Sequence, residues 1–201
     1  MPQFTLPILP CGRHRVVAIS GIDGTGKSRV ATAIAEILGA LYYYNPPEPF
    51  LSDRVEVDRT ATPLERFRFY LTANEKCSAD IAEIRCQKPV ILDRYLYCTM
   101  AYHQAMGIPP DYIAAEVRKR NLIYPDQAFF FDCSDEDLRW KRIVSRGITA
   151  NDERTRALVP RIRAEYLKYS CLTVIDTATM SLDELIEHTW RLIKEFEPLS
   201  G

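Results

Sequence analysis

Val16-Val17-Ala18-Ile19-Ser20 followed by Gly21-Ile22-Asp23-Gly24-Thr25-Gly26-Lys27-Ser28 is the stretch whose reading decides the fold. The first five residues form a short apolar run, the mark of a buried strand. The next eight match the pattern G-x-x-x-x-G-K-[ST] in full. Beyond them Val30, Ala31, Ile34, Ala35 and Leu38 recur at three- and four-residue spacing, which makes one apolar face of a helix. Three of the eight glycines fall between positions 21 and 26. They let the loop wrap and let backbone N–H groups approach phosphate oxygens. The helix start aims its positive end at the same anion. Lys27 is expected to reach the β- and γ-phosphates of a nucleoside triphosphate, and Ser28 to hold Mg²⁺ through its hydroxyl. Gly21, Asp23, Gly24, Thr25, Gly26, Lys27 and Ser28 are therefore the candidate nucleotide-binding residues. A glycine-rich turn that binds nothing has no need of Lys-Ser at its helix start.

Working outward, four further apolar runs read as strands: Leu41 to Tyr44, Val90 to Asp93, Ala128 to Asp132 and Leu172 to Asp176. Helical patterns lie between them, and Leu182, Leu185, Ile186, Thr189, Ile193 and Phe196 make one face of the last. Ser134 and Ser181 each precede an acid by three residues, which predicts two capping-box starts. Five strands alternating with helices predict an α/β fold, a three-layer sandwich around a five-stranded parallel sheet covered on both faces. Crossovers are then right-handed. Pro160 is expected to start or kink a helix and divide residues 152–166. An N-terminal arm, 1–15, and a single domain, 16–201, are expected.

Composition excludes several classes. Lys and Arg number 26 and Asp and Glu 27, for a net charge of -1, which is unlike a strongly basic nucleic-acid binder. Hydrophobic residues are 47% and charged residues 26%, too apolar for a disordered chain. No apolar run approaches the ~18 residues of a membrane span. Met1 to Pro10 carries three prolines and no basic start before an apolar stretch, unlike a secretory leader. The six cysteines have no knuckle spacing, so free thiols in a reducing cytoplasm are expected.

The run Val90 to Asp93 ends in Asp93-Arg94-Tyr95. An acid at the carboxyl end of such a strand lies beside the phosphate loop in doubly wound folds. Asp93 is a candidate to hold Mg²⁺ through water or to orient the nucleophile. Arg94 adds a fork-shaped phosphate donor. Arg142 and Arg146 stand four apart, and a polar stretch, Gly147 to Asp152, leads to Arg154, Arg156, Arg161 and Arg163. This reads as an arginine-bearing lid at about 146–156, with Arg142 on the nucleotide side and Arg146 catalytic.

These elements, with Ala101-Tyr102, Pro125-Asp126 and Arg142-x-x-x-Arg146-Gly147, resemble the thymidylate kinase family from Val16 to about Phe196. The resemblance implies a P-loop kinase that transfers the γ-phosphoryl of ATP, with Mg²⁺, to a deoxynucleoside monophosphate, dTMP first, and a possible homodimer. It implies that Asp23 faces the acceptor sugar or metal, that Arg94 holds the acceptor phosphate, and that Tyr95 and Tyr102 sit by the acceptor. Gly24 stands where one branch of the family has a catalytic arginine, so Arg146, Arg154 or Arg156 must supply that charge.

The acceptor half departs from the pattern. Pro47 stands where the family has an arginine before Glu48-Pro49. Counting back from Asp93, Leu71 and Glu75 fall where the family has a base-stacking Phe and a base-reading Arg. Cys98 and His103 replace the usual Ser and Gln. Two alternatives stay open. One is a deoxynucleoside kinase with Glu48 as general base for a 5′-hydroxyl. The other is a nucleotide-binding module with no small-molecule acceptor.

Overall fold

The computed structural model describes residues 14–196. The chain runs β1 (Val16–Gly21), α1 (Lys27–Leu38), β2 (Leu41–Tyr44), α2 (Phe50–Thr60), α3 (Pro63–Ile84), β3 (Val90–Asp93) and α4 (Leu96–Ala105). It continues through α5 (Pro110–Arg118), β4 (Gln127–Asp132), α6 (Glu136–Arg146), α7 (Ala150–Arg156), α8 (Val159–Tyr166), β5 (Leu172–Asp176) and α9 (Leu182–Glu195).

Alternation along each strand sorts the side chains into two cores, one on each face of the sheet. Val16, Ala18, Val90, Leu92, Ala128 and Phe130 pack against α3, α4, α5 and α8, where Phe67, Met100, Ile113 and Tyr166 meet them. Val17, Ile19, Ile91, Phe129, Phe131 and Ile175 pack against α1 and α9, through Val30, Ile34, Leu185 and Ile193. The result is the expected three-layer α/β sandwich. All five strands are parallel, in the order β2-β3-β1-β4-β5.

That order, which periodicity alone does not set, positions the site. β3 lies beside β1, with Ile19 in register with Asp93. The loop after β1 and the Asp93-Arg94 turn after β3 therefore open side by side, at the carboxyl ends of the strands where open α/β sheets bind ligands. The three tyrosines of β2 are strand residues. Their hydroxyls reach Asp93 at 3.0 Å, Asp80 at 2.5 Å and Arg54 at 2.7 Å.

Local signals fared differently. Ser181 and Glu184 form the expected reciprocal cap of α9. The cap of α6 is Asp135 rather than Ser134. Its carboxylate accepts the Leu138 N–H at 2.8 Å, while the Ser134 N–H donates to Asp176. Asp caps a helix as well as Ser, so neighbouring candidates leave the start ambiguous by one residue. Residues 152–166 are divided as expected, with Pro160 in the first turn of α8. Of the N-terminal arm, residues 1–13 lie outside the described residues. Arg15 belongs to the fold: it donates to the Ile193 carbonyl at 3.0 Å, and its own carbonyl accepts the Val90 N–H at 2.9 Å.

Gly21 ends β1 against β4. A Cβ built there would stand 2.4 Å from the Phe131 carbonyl oxygen, a backbone atom that cannot step aside. Gly21→Ala is therefore expected to destabilise the protein by about 2 kcal/mol or more, the cost of overpacking a rigid contact. Chemical denaturation measures this, and an unchanged midpoint would contradict the packing described.

Candidate active site

The site is built around one carboxylate. Asp23 lies in the loop after β1, and its side chain is 14% exposed. Its Oδ1 accepts from Lys27 Nζ at 3.1 Å and from the Arg94 guanidinium. Its Oδ2 takes the Asn151 amide at 3.4 Å, and its backbone carbonyl takes Arg139 Nη1 at 2.7 Å. Burial opposes the charge on Asp23, but Arg94 and Lys27 outweigh it and hold the carboxyl well below the usual carboxylate range. Burial likewise opposes the charge on Arg94, and Asp23 overcomes it. One anion thus joins two cations, leaving the group with a net positive charge.

Local backbone brings these groups together. Gly26 has φ 83°, a left-handed turn that starts α1 and that glycine adopts at no steric cost. Arg94 is the one described non-glycine residue with positive φ, at 69°. This conformation costs an L residue energy and is found where function fixes the geometry. It turns the chain at the end of β3 and brings the guanidinium to Asp23. Tyr102, on α4, lies against Arg94, and burial and the Asp23 charge push its phenol pKa up.

A cavity of about 700 Å³ opens over this centre. The loop from Asp23 to Ser28 lines it, with Arg94, Tyr95 and Tyr102 on one side and Arg142 and Arg146 on another. Arg142 is held by Thr177, through its hydroxyl at 3.1 Å and its carbonyl at 2.9 Å. Arg146 pairs with the buried Asp152 at 2.6 Å. α7 bridges the cavity: Asn151 reaches Asp23, and Arg154 donates to the Asp58 carbonyl and lies 3.5 Å from its carboxylate. Arg156 stacks over Trp140, 3.9 Å from the ring centroid. Of Arg146, Arg154 and Arg156, only Arg146 lines the cavity.

Five sequence-selected residues do not line the cavity. Gly21 is buried against β4. Asp93 is buried under the loop, one oxygen on Tyr42 and the other without a partner. Glu48 is exposed and accepts from the Ser52 N–H and hydroxyl. Leu71 and Glu75 need correction as acceptor-site residues. Leu71 is fully buried in the core, and Glu75 pairs with Arg120 at 2.8 Å. Counting from Asp93 picks the wrong face of α3, which presents Arg66 and Tyr70 to the cavity instead.

Sequence reading also missed Arg139 and the polar network joining α2, α3 and α4. Arg139 is 2% exposed and buttresses the loop, and its three-residue spacing from Arg142 was a usable signal. Asp58 accepts from Arg66 at 3.0 Å and Tyr70 at 3.1 Å. Asn45 donates to Asn74 at 2.8 Å, and Asn74 to Thr99 at 2.9 Å. These contacts join distant segments, and no local pattern marks them.

Comparison with known proteins agrees with this geometry. A sequence model of the family described as thymidylate kinase matches residues 19–188. The chain belongs to the thymidylate kinase family. It is 30% identical over 187 residues to a probable thymidylate kinase of Sulfurisphaera tokodaii, covering 89% of this chain and 95% of that one. It is 25% identical over 190 residues to a probable thymidylate kinase of Archaeoglobus fulgidus, covering 90% and 95%. A solved thymidylate kinase from Candida albicans shares the fold, with a TM-score of 0.75, 19% identity and 92% of each chain covered. The chain is accordingly a nucleoside monophosphate kinase of this family.

The residues fit a magnesium nucleotide. Among the described residues no cluster of three His, Cys, Asp or Glu could hold a metal ion. Mg²⁺ suits such a site when substrate phosphates and waters complete its shell. The chain offers the exposed Ser28 hydroxyl, and Asp93 Oδ1 is a buried acceptor without a partner.

One wall of the cavity also carries a buried histidine. His103, on α4, is 2% exposed, and its Nδ1 lies 2.6 Å from the Thr99 carbonyl. A carbonyl only accepts, so Nδ1 carries the proton. Burial first, and then the charge of Arg66, push its pKa down to about 4, against opposing effects of the Thr99 carbonyl and Asp58. An unfolded histidine titrates near ~6.5. Between those values the unfolded chain binds a proton that the folded chain refuses, so stability falls as pH drops from about 6.5 towards 4. The loss at pH 5 should be about 2 kcal/mol from this group. Urea unfolding at pH 7 and pH 5 checks it: His103→Gln should shrink the difference, and an equal difference in both proteins would contradict it.

Proposed function

We propose that this kinase transfers the γ-phosphoryl of ATP to dTMP. The observation that carries the reading is the Lys27–Asp23–Arg94 cluster, two cations on one buried carboxylate beside one cavity. Arg94 is fork-shaped and stands at the acceptor side by Tyr102, which suits a phosphate rather than a hydroxyl. Glu48 lies outside the cavity lining, exposed and engaged with Ser52, which supports a monophosphate over a free nucleoside that would need it as a base.

Bound ATP brings the γ-phosphoryl, and Mg²⁺ neutralises phosphate charge. The loop N–H groups and Lys27 hold the donor phosphates, and Arg142 flanks the nucleotide beside Thr177. Arg94 orients the acceptor phosphate in line. Its oxygen is already anionic near neutral pH, so no general base is needed. Arg146 stabilises the charge that develops on the moving group, as the cavity-lining arginine of the lid. The chemistry asked of the protein is positioning and charge stabilisation. The family likeness also carries a cytoplasmic homodimer, which sedimentation and fractionation would check.

The test is a coupled turnover assay with ATP and Mg²⁺, dTMP against thymidine. Turnover is expected on dTMP alone. Arg94→Lys should lose about 10²-fold or more in kcat/KM, because a point charge does not replace the fork. Glu48→Gln should keep wild-type turnover. Phosphorylation of thymidine, lost in Glu48→Gln, would reverse the assignment.

A further inference from the structure

Phosphate chemistry leaves part of the cavity lining unused. His103 Nε2 and Asn45 Oδ1 are buried acceptors with no partner, on cavity-lining residues that are 2% and 3% exposed. Leaving such atoms unpaired costs enough that native proteins rarely do so without a reason. The tautomer of His103 is set, since Nδ1 gives its proton to the Thr99 carbonyl and Nε2 is left a bare acceptor. The amide of Asn45 is committed to Asn74, so its oxygen is likewise the free atom. The ligand must therefore bring more than one donor, as a base N–H and a sugar hydroxyl do.

Arg66 supplies the opposite polarity. Its Nε and Nη2 go to Asp58, at 3.2 Å and 3.0 Å, while Nη1 has only the Met106 sulfur at 3.7 Å. Thioether sulfur is a weak acceptor, so this donor is available. Arg66 lies one turn before Tyr70 on α3, and the Tyr70 ring is 5.9 Å from that of His103. The three line the same cavity, a bare nitrogen and a charged donor beside an aromatic wall.

We propose that His103 and Arg66 read the base of the acceptor nucleotide, with Nε2 accepting the imide N3–H and Nη1 donating to the adjacent carbonyl oxygen. This rests on the monophosphate-kinase reading above and names its specificity. The acceptor class is a nucleotide of an oxo-pyrimidine, whose edge presents a carbonyl next to an N–H. A cytosine sets a bare ring nitrogen where the N–H should be, against the lone pair of His103. The base-reading arginine expected at position 75 is thus replaced by Arg66 two and a half turns earlier on the same helix, together with a histidine from α4.

Calorimetric titration of the full chain with dTMP, N3-methyl-dTMP and dCMP tests this. Wild type should bind dTMP at least about tenfold more tightly than either analogue, the scale of one buried acceptor left unpaired. His103→Leu should weaken dTMP to the level of the N3-methyl analogue and erase the preference. His103→Gln keeps an acceptor oxygen and should keep the preference, and Arg66→Met should weaken all three ligands that carry a carbonyl. Far-UV circular dichroism checks that each variant is folded. Equal binding of dTMP and both analogues by wild type, a result that needs no variant, overturns the inference. A full preference retained in folded His103→Leu also overturns it. In both cases turnover on dTMP would leave the monophosphate-kinase reading intact, whereas binding of ATP with no monophosphate bound would overturn both.

Discussion

Everything in the site leans on the Asp23 carboxylate. Two cations, Lys27 from the helix after the loop and Arg94 from the turn after β3, share one of its oxygens. Without it they would face each other in a partly buried space, and breaking such a group costs far more than an exposed ion pair is worth. The same carboxylate holds Asn151 of the lid helix, and its backbone carbonyl is held by Arg139. The loop after β1, the turn after β3 and α7 are therefore bound to one residue, and the group keeps a net positive charge.

The sheet makes that convergence possible. β1 lies between β3 and β4, so the loop and the Asp93-Arg94 turn open on the same edge. Strain at Arg94, the single positive-φ residue other than glycine among those described, is offset by this contact and by its N–H, which donates to Ile19 at 3.0 Å. The wall of the cavity next to α3 and α4 is built differently. It rests on relays between distant segments, Asn45 to Asn74 to Thr99 and Asp58 to Arg66 and Tyr70. Beside them His103 Nε2 and Asn45 Oδ1 are left without a partner, and both residues line the cavity.

The fold and the donor half were legible in the sequence because their determinants are local. Strand, loop and helix follow one another from Val16 to Leu38, and each of the five apolar runs became a strand with bounds within one residue. Strand order was not legible, since it depends on contacts between segments far apart. The acceptor half failed for a similar reason. Leu71 and Glu75 were chosen by counting along α3, and one residue of rotation moves a side chain about 100° around a helix. Tyr70 faces the cavity and Leu71 the core. The amphipathic pattern was ambiguous there because the buried face of α3 also carries polar residues, Asn74 and Ser78. Asp135 took the cap expected of Ser134 through the same one-residue ambiguity.

In the proposed reaction one cavity serves both phosphates through a single charged centre. The most direct measurement is binding of a bisubstrate ligand, adenosine and thymidine joined 5′ to 5′ through five phosphates. One molecule should bind per chain, displacing both ATP and dTMP, with an affinity well beyond either alone because linkage makes the second contact intramolecular. A ligand that displaces ATP while dTMP still binds would place the acceptor outside this cavity and contradict a shared charged centre.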